Sequence, residues 1–183
     1  MFNLVKTGFE GLYIFEPQVF ADERGYFFES YNRQRLEENG IKTNFVQDNE
    51  SKSSYGVIRG LHCQLNPFAQ TKLLRVIIGK IIDVALDLRR DSKTFGSFYL
   101  VELSDSNKKQ FYIPPGFAHG FSVISDYAIV NYKCDNFYSK ESERGINPLD
   151  TDLNIDWKIE KSMQILSEKD TQSVRFKDVN FYF

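Results

Sequence analysis

From Lys72 to Leu88 the chain alternates almost without a break: Leu74, Val76 and Ile78 point one way before Gly79-Lys80, and Ile82, Val84, Leu86 and Leu88 do so after it. An apolar period of two marks a strand with one buried face, so the stretch predicts a β-hairpin turning at Gly79-Lys80, with Asp83 and Asp87 on the opposite face. The rest of the chain has the same texture. Its 17 Phe and 10 Tyr fall with β-branched residues into short runs punctuated by Gly, Pro, Asn and Asp, which suits pleated, half-buried surfaces. Further strands are predicted at Leu12 to Phe15, Tyr26 to Ser30, Phe45 to Asn49, Gly96 to Leu103, Gln110 to Ile113, Gly120 to Ser125 and Tyr127 to Cys134. One helix is predicted from about Arg33 to Asn39, where Asn32 can cap the start and Gly40 the end. Strands at this spacing imply a mainly β sandwich or barrel with few helices. With 183 residues, 42% of them hydrophobic, the chain can fill one core. No repeat or linker marks a boundary, so residues 1–183 are expected to form a single domain. The more polar tail from Asp150 onward is expected to wrap over the sheet.

Charge excludes several partners. A formal net charge of −2, with acids and bases interspersed, gives no field for nucleic acid or a membrane surface. No segment approaches the roughly 18 to 20 apolar residues that span a bilayer. Cys63 and Cys134 are too few for a disulfide scaffold or a four-cysteine zinc site, which fits a soluble protein of a reducing cytoplasm. Any anion site must therefore be local.

Arg59-Gly60-Leu61-His62-Cys63-Gln64, followed by Gln70-Thr71-Lys72, is the best candidate for one. A neutral imidazole between two cations suits a site that holds a phosphorylated anion and takes a proton from it. His119 is the only other histidine, delivered by the rigid turn Ile113-Pro114-Pro115-Gly116-Phe117-Ala118-His119-Gly120-Phe121. A metal-dependent reading would want a His-x-His pair, but position 64 is Gln, and two histidines cannot make a three-histidine site. Asp22-Glu23-Arg24-Gly25-Tyr26-Phe27-Phe28-Glu29, Gln47-Asp48-Asn49, the Tyr132 and Tyr138 pair, and Glu143-Arg144-Gly145 are each weak alone.

Together these motifs resemble, in order and spacing, the dTDP-4-dehydrorhamnose 3,5-epimerases. The likeness runs from Asp22-Glu23-Arg24-Gly25 through Gly56-Val57-Ile58-Arg59-Gly60-Leu61-His62-Cys63-Gln64 to Leu166-Ser167-Glu168-Lys169-Asp170. It implies a cupin-type jelly roll, a homodimer with exchanged strands, no cofactor and no metal, and a nucleotide-linked 4-keto-6-deoxyhexose as substrate. The C4 ketone of such a sugar acidifies the hydrogens at C3 and C5 alike, so one site can invert both. By resemblance His62 is the base, Asp170 orients it, Tyr132 is the acid on the far face, and Lys72 meets the enolate oxygen. Arg24 and Arg59 would hold the diphosphate, and Tyr138 would stack on the nucleotide base. Phe27, Glu29, Gln47, Asp48, Asn49, His119, Glu143 and Lys169 match positions that bind substrate. Arg24 and Glu29 would serve the neighbouring subunit's site. Cys63 departs from the family's usual tyrosine and Ile146-Asn147-Pro148-Leu149-Asp150 from its usual aromatic. Both departures are expected near the sugar or its lid, where they would bear on an epimerase inverting C3 alone or taking another sugar. A sugar-nucleotide binding module without catalysis would keep Arg24, Arg59 and Tyr138 but has no use for base, orienting acid and opposed phenol together.

Overall fold

The computed structural model describes residues 2–183. Strands β1 (Phe2–Lys6), β2 (Tyr13–Pro17), β3 (Phe20–Asp22) and β4 (Gly25–Phe27) lead into helix α1 (Arg33–Glu38). Then come β5 (Gln47–Ser54), β6 (Ile58–Gln64), β7 (Lys72–Ile78), β8 (Lys80–Asp87), β9 (Phe98–Ser104), β10 (Gln110–Ile113), β11 (Phe117–Val123), β12 (Tyr127–Cys134) and β13 (Glu143–Gly145), followed by a short helix α2 (Glu168–Thr171). A 6-stranded sheet in the order β1-β2-β10-β7-β12-β5 faces a 5-stranded sheet in the order β13-β6-β11-β8-β9, while β3 and β4 form a ribbon of their own. Consecutive strands repeatedly cross between the two sheets, giving the expected jelly roll.

The predicted hairpin is the main correction. β7 pairs with β10 and β12 in one sheet, whereas β8 pairs with β9 and β11 in the other. Gly79, at φ +86, turns the chain from sheet to sheet instead, and a Cβ there would collide with the carbonyl oxygen of Tyr127. The alternation misleads because β8 is buried on both faces. Its Ile81 and Ala85 face the inter-sheet core with Leu74, Val76, Phe111 and Val130. Ile82, Val84, Leu86 and Leu88 face outward and are covered by Trp157, Ile159, Val179 and Phe181 of the tail, where each buried aliphatic side chain contributes about 1.5–3 kcal/mol. The tail thus wraps over a sheet as expected, and the Asp83 and Asp87 face is the interior one. On the far side of the molecule, α1 lays Leu36 against Phe15, Leu73 and Tyr112. Asn32 caps this helix as predicted, its side chain accepting from the Arg35 N–H at 3.2 Å.

Candidate active site

The motifs around Arg59, His62, Lys72, His119, Tyr132 and Asp170 converge at one end of the space between the sheets, around a cavity of about 540 Å³. Antiparallel pairing of β6 with β11 sets His62 directly opposite His119, so both rings leave the same face of the 5-stranded sheet. Glycine makes that approach possible: a Cβ on Gly60 would lie 2.5 Å from Gly120 Cα, and one on Gly120 would lie 2.6 Å from the Arg59 carbonyl oxygen. The 6-stranded sheet supplies the other wall. There Lys72 begins β7, and Tyr132 on β12 sits across from Leu74 on one neighbour and Asn49 on the other.

His62 Nε2 lies 2.6 Å from Asp170 Oδ1, a partner 108 residues away in sequence. The Ser167 hydroxyl caps α2 by accepting from the Asp170 N–H at 3.1 Å, which presents the carboxylate to the ring. Burial would push the Asp170 carboxyl up, but the bond and charge of His62, with the Gly60 N–H, hold it below the usual range. With Nε2 so engaged, Nδ1 is the ring nitrogen available for proton transfer. Burial depresses the Lys72 ammonium against the pull of neighbouring acids, Asp83 among them. Burial also raises the Tyr132 phenol, which the nearby Arg59 partly offsets.

A second pair escapes the sequence reading. His119 Nε2 lies 2.9 Å from Asp83 Oδ1, both groups are buried, and Asp83 Oδ2 finds no hydrogen-bond partner among the described residues. Burial disfavours both charges, lowering the imidazole and raising the carboxyl. Asp83 was placed on an outer face because the tail's cover over β8 is invisible to a period-two pattern. Ser51, whose buried hydroxyl also lacks a partner among the described residues, lines the cavity as well. Its signal is that it continues the inward series of Gln47 and Asn49 along β5.

Of the residues singled out in the sequence, Arg59, His62, Lys72, His119, Tyr132, Lys169 and Asp170 line the cavity. Arg59 is steadied by donating from Nε to the Ser53 hydroxyl at 2.9 Å. Gln47 donates to Asn49 Oδ1 at 3.0 Å and accepts the Tyr138 N–H at 3.2 Å. Asp48 faces the other side of β5, paired with Lys133 at 2.9 Å. Glu143 accepts from the Tyr138 hydroxyl at 2.9 Å and pairs with Lys169 at 2.6 Å; burial raises its carboxyl, but these two partners bring it below the usual range. Arg24 and Phe27 lie on the β3-β4 ribbon, away from the cavity, with Arg24 paired to Asp22. Glu29 binds Arg35 and Asn32 beside α1.

The two departures from the family pattern do not line the cavity, contrary to expectation. Cys63 points into the apolar layer beneath the tail, where burial pushes its thiol up to about 11. Ile146 is buried in that same layer, and its N–H and C=O bond to Leu61. Alternation along β6 explains the first, since the neighbour of an inward His62 must face outward. Among the described residues no three His, Cys, Asp or Glu side chains are grouped to hold a metal ion, and no helix is long and apolar enough to cross a membrane.

Known proteins share this fold. The family model for dTDP-4-dehydrorhamnose 3,5-epimerase matches residues 6–178. A dTDP-4-dehydrorhamnose 3,5-epimerase of Shigella flexneri is 51% identical over 98% of this chain and 99% of its own length. The crystal structure of the corresponding enzyme from Elizabethkingia anophelis superposes with a TM-score of 0.94 at 56% identity, covering 98% of this chain and 99% of that one. A Legionella pneumophila dTDP-6-deoxy-D-glucose-3,5-epimerase in complex with dTDP-4-keto-L-rhamnose superposes with a TM-score of 0.93 at 45% identity, covering 98% and 95%. A likeness this deep, reaching from the first sheet to the helix that carries Asp170, means that the chain belongs to the dTDP-4-dehydrorhamnose 3,5-epimerase family and is an epimerase.

Proposed function

We propose that the chain inverts C3 and C5 of dTDP-4-dehydro-6-deoxy-D-glucose, giving dTDP-4-dehydro-L-rhamnose for surface polysaccharide synthesis. One observation carries this reading: His62, oriented by Asp170, stands on one sheet and Tyr132 on the other, across a single cavity that Lys72 also lines. His62 Nδ1 takes the proton from C3 or C5, and the electron pair moves into an enolate whose C4 oxygen meets the Lys72 ammonium. Tyr132 gives its own proton to the opposite face and the ketone reforms, after which the His62 imidazolium loses a proton to solvent and the Tyr132 phenolate regains one. No electrons are gained or lost, so the residues suffice without a cofactor. Proton transfer of this kind needs a base and an acid on opposite faces, which the two sheets supply. Arg59 lies at the cavity wall for the diphosphate, and Tyr138, 56% exposed, offers an open ring for the nucleotide base. The ligand of the Legionella structure is the product this scheme yields.

The β3-β4 ribbon supports a homodimer. Among the described residues it pairs with no other strand, and it exposes Phe20, Tyr26 and Phe27 at 53%, 58% and 69%, so Arg24, Phe27 and Glu29 would serve a partner's cavity. Sedimentation should show a dimer, and Arg24→Ala should weaken nucleotide-sugar binding about tenfold; a monomer that binds substrate fully would rule this out. Two free thiols fit a cytoplasmic location.

The test is NMR of protein and dTDP-4-dehydro-6-deoxyglucose in heavy water. Deuterium should enter at C3 and C5, and His62→Ala should slow both by at least roughly 10²- to 10⁴-fold. Exchange at C3 alone would make this a mono-epimerase, and binding without exchange a binding module.

A further inference from the structure

We infer that Gln64 is a positioning residue for nucleotide recognition: its one buried amide holds both neighbours of Tyr138 and so sets the ring platform from the strand that carries His62. The inference rests on the reading of Tyr138 as the base-stacking ring. Gln64 ends β6, is only 6% exposed, and lies two residues beyond His62. Its Nε2 donates to the Phe137 carbonyl at 3.2 Å and to the Phe68 carbonyl at 3.0 Å. Its Oε1 accepts the Ser139 N–H at 2.6 Å. A single side chain thus grips the main chain immediately before and immediately after Tyr138.

The need for such a grip follows from exposure. Phe137 and Tyr138 are 62% and 56% exposed, so packing cannot fix the ring, and a free ring would lose rotational and loop entropy on stacking. Tyr138 is instead held by polar contacts at its N–H and its hydroxyl. Its N–H donates to Gln47 at 3.2 Å and its hydroxyl to Glu143 at 2.9 Å, and Glu143 lies directly across the ladder from Gln64. The loop before β7 is tied to the same segment, with Gln70 donating to the Asn136 carbonyl at 2.8 Å and Asp135 accepting the Thr71 N–H at 2.6 Å. Nucleotide platform, His62 and Lys72 therefore share one hydrogen-bonded frame whose central joint is the Gln64 amide. Only an amide supplies donors and an acceptor from one planar group.

A double-mutant cycle on dTDP binding, with turnover of the 4-keto sugar measured beside it, decides this. Gln64→Leu should weaken dTDP about tenfold, the scale of one or two lost hydrogen bonds, and raise KM similarly while kcat changes less than about twofold. Gln64→Glu, which keeps the acceptor and loses the donors, should also bind more weakly and stay folded by circular dichroism. In the Tyr138→Ala background either Gln64 substitution should have little further effect, since the platform it positions is gone. Additive losses, unchanged affinity, a fall in kcat alone, or loss of the fold in both Gln64 variants would each overturn the inference. Wild-type protein that fails to bind dTDP would remove the nucleotide reading itself, a result distinguishable from any of these.

Discussion

Two histidine–carboxylate pairs sit side by side in this molecule and are built to different ends. His62 and Asp170 meet at 2.6 Å with the histidine side chain 29% exposed, so the ring reaches the cavity while its acid stays behind it. His119 and Asp83 meet at 2.9 Å with side chains only 9% and 0% exposed. Their sequence origins differ as well. Asp83 and His119 lie on adjacent strands of one sheet, whereas Asp170 arrives on a helix near the end of the chain. An imidazole that must accept and release a proton needs a carboxylate kept ionised, and Asp170 is held so by the ring, the Gly60 N–H and its capping serine. An imidazole that must only present a fixed polar edge is better left neutral, and burial of His119 pushes it that way against the pull of Asp83. On the proposed mechanism the same pair of residue types thus yields a base in one place and a fixed wall in the other, and solvation makes the difference.

Asp170→Asn should break the first pair with the larger effect. The amide keeps the volume and one hydrogen bond but cannot stabilise an imidazolium, so kcat for deuterium exchange should fall about 10²-fold or more with KM little changed. Acid should act in the same direction: because the Asp170 carboxyl lies below its ordinary value of about 3.9, the stability it contributes is present above that value and lost as pH falls through the folded one. Urea denaturation from pH 7 to pH 3 should therefore show a shallower acid loss in Asp170→Asn than in the wild type. An equal kcat in the two proteins would mean that Asp170 serves the fold alone.

The contrast between the pairs also marks what the sequence can show. Gly60 and His62 stand in one short motif, and its residues are short-range neighbours, so strand pairing alone could bring them together with His119. Asn32, helix formers and Gly40 made α1 legible for the same local reason. Asp170 is separated from its partner by more than half the chain, and only likeness to a family pointed to it. Asp83 was hidden by the alternation of β8, which looks the same whether the apolar face meets the inter-sheet core or a tail folded over the outside. The misread hairpin has that cause too: Gly79 signals a turn, but a turn between paired strands and a turn between facing sheets use the same residue for the same positive φ. Arg24 and Phe27 mark a third kind of limit: neither lines this chain's own cavity, and only the proposed dimer would give them a place at one.

Asp83→Asn should sharpen the comparison with a smaller effect. The Asp83 carboxylate is buried with one oxygen unpartnered, so an amide removes an ill-solvated charge while keeping an acceptor for His119. Stability should change by no more than about 1–3 kcal/mol, and turnover near neutral pH should fall less than about tenfold. The signature lies on the alkaline side. Asp83 helps to hold up the Lys72 ammonium against burial, and without that charge Lys72 loses its proton at lower pH, moving the alkaline limb of the kcat profile towards neutrality. The His119 ring should be less protonated at pH 6.5 than an unperturbed imidazole, which is half protonated there, in wild type and variant alike by nitrogen-detected NMR. A His119 that titrates near 6.5 would place it beside His62 as a second proton-transfer group, and the division between base and wall would fail.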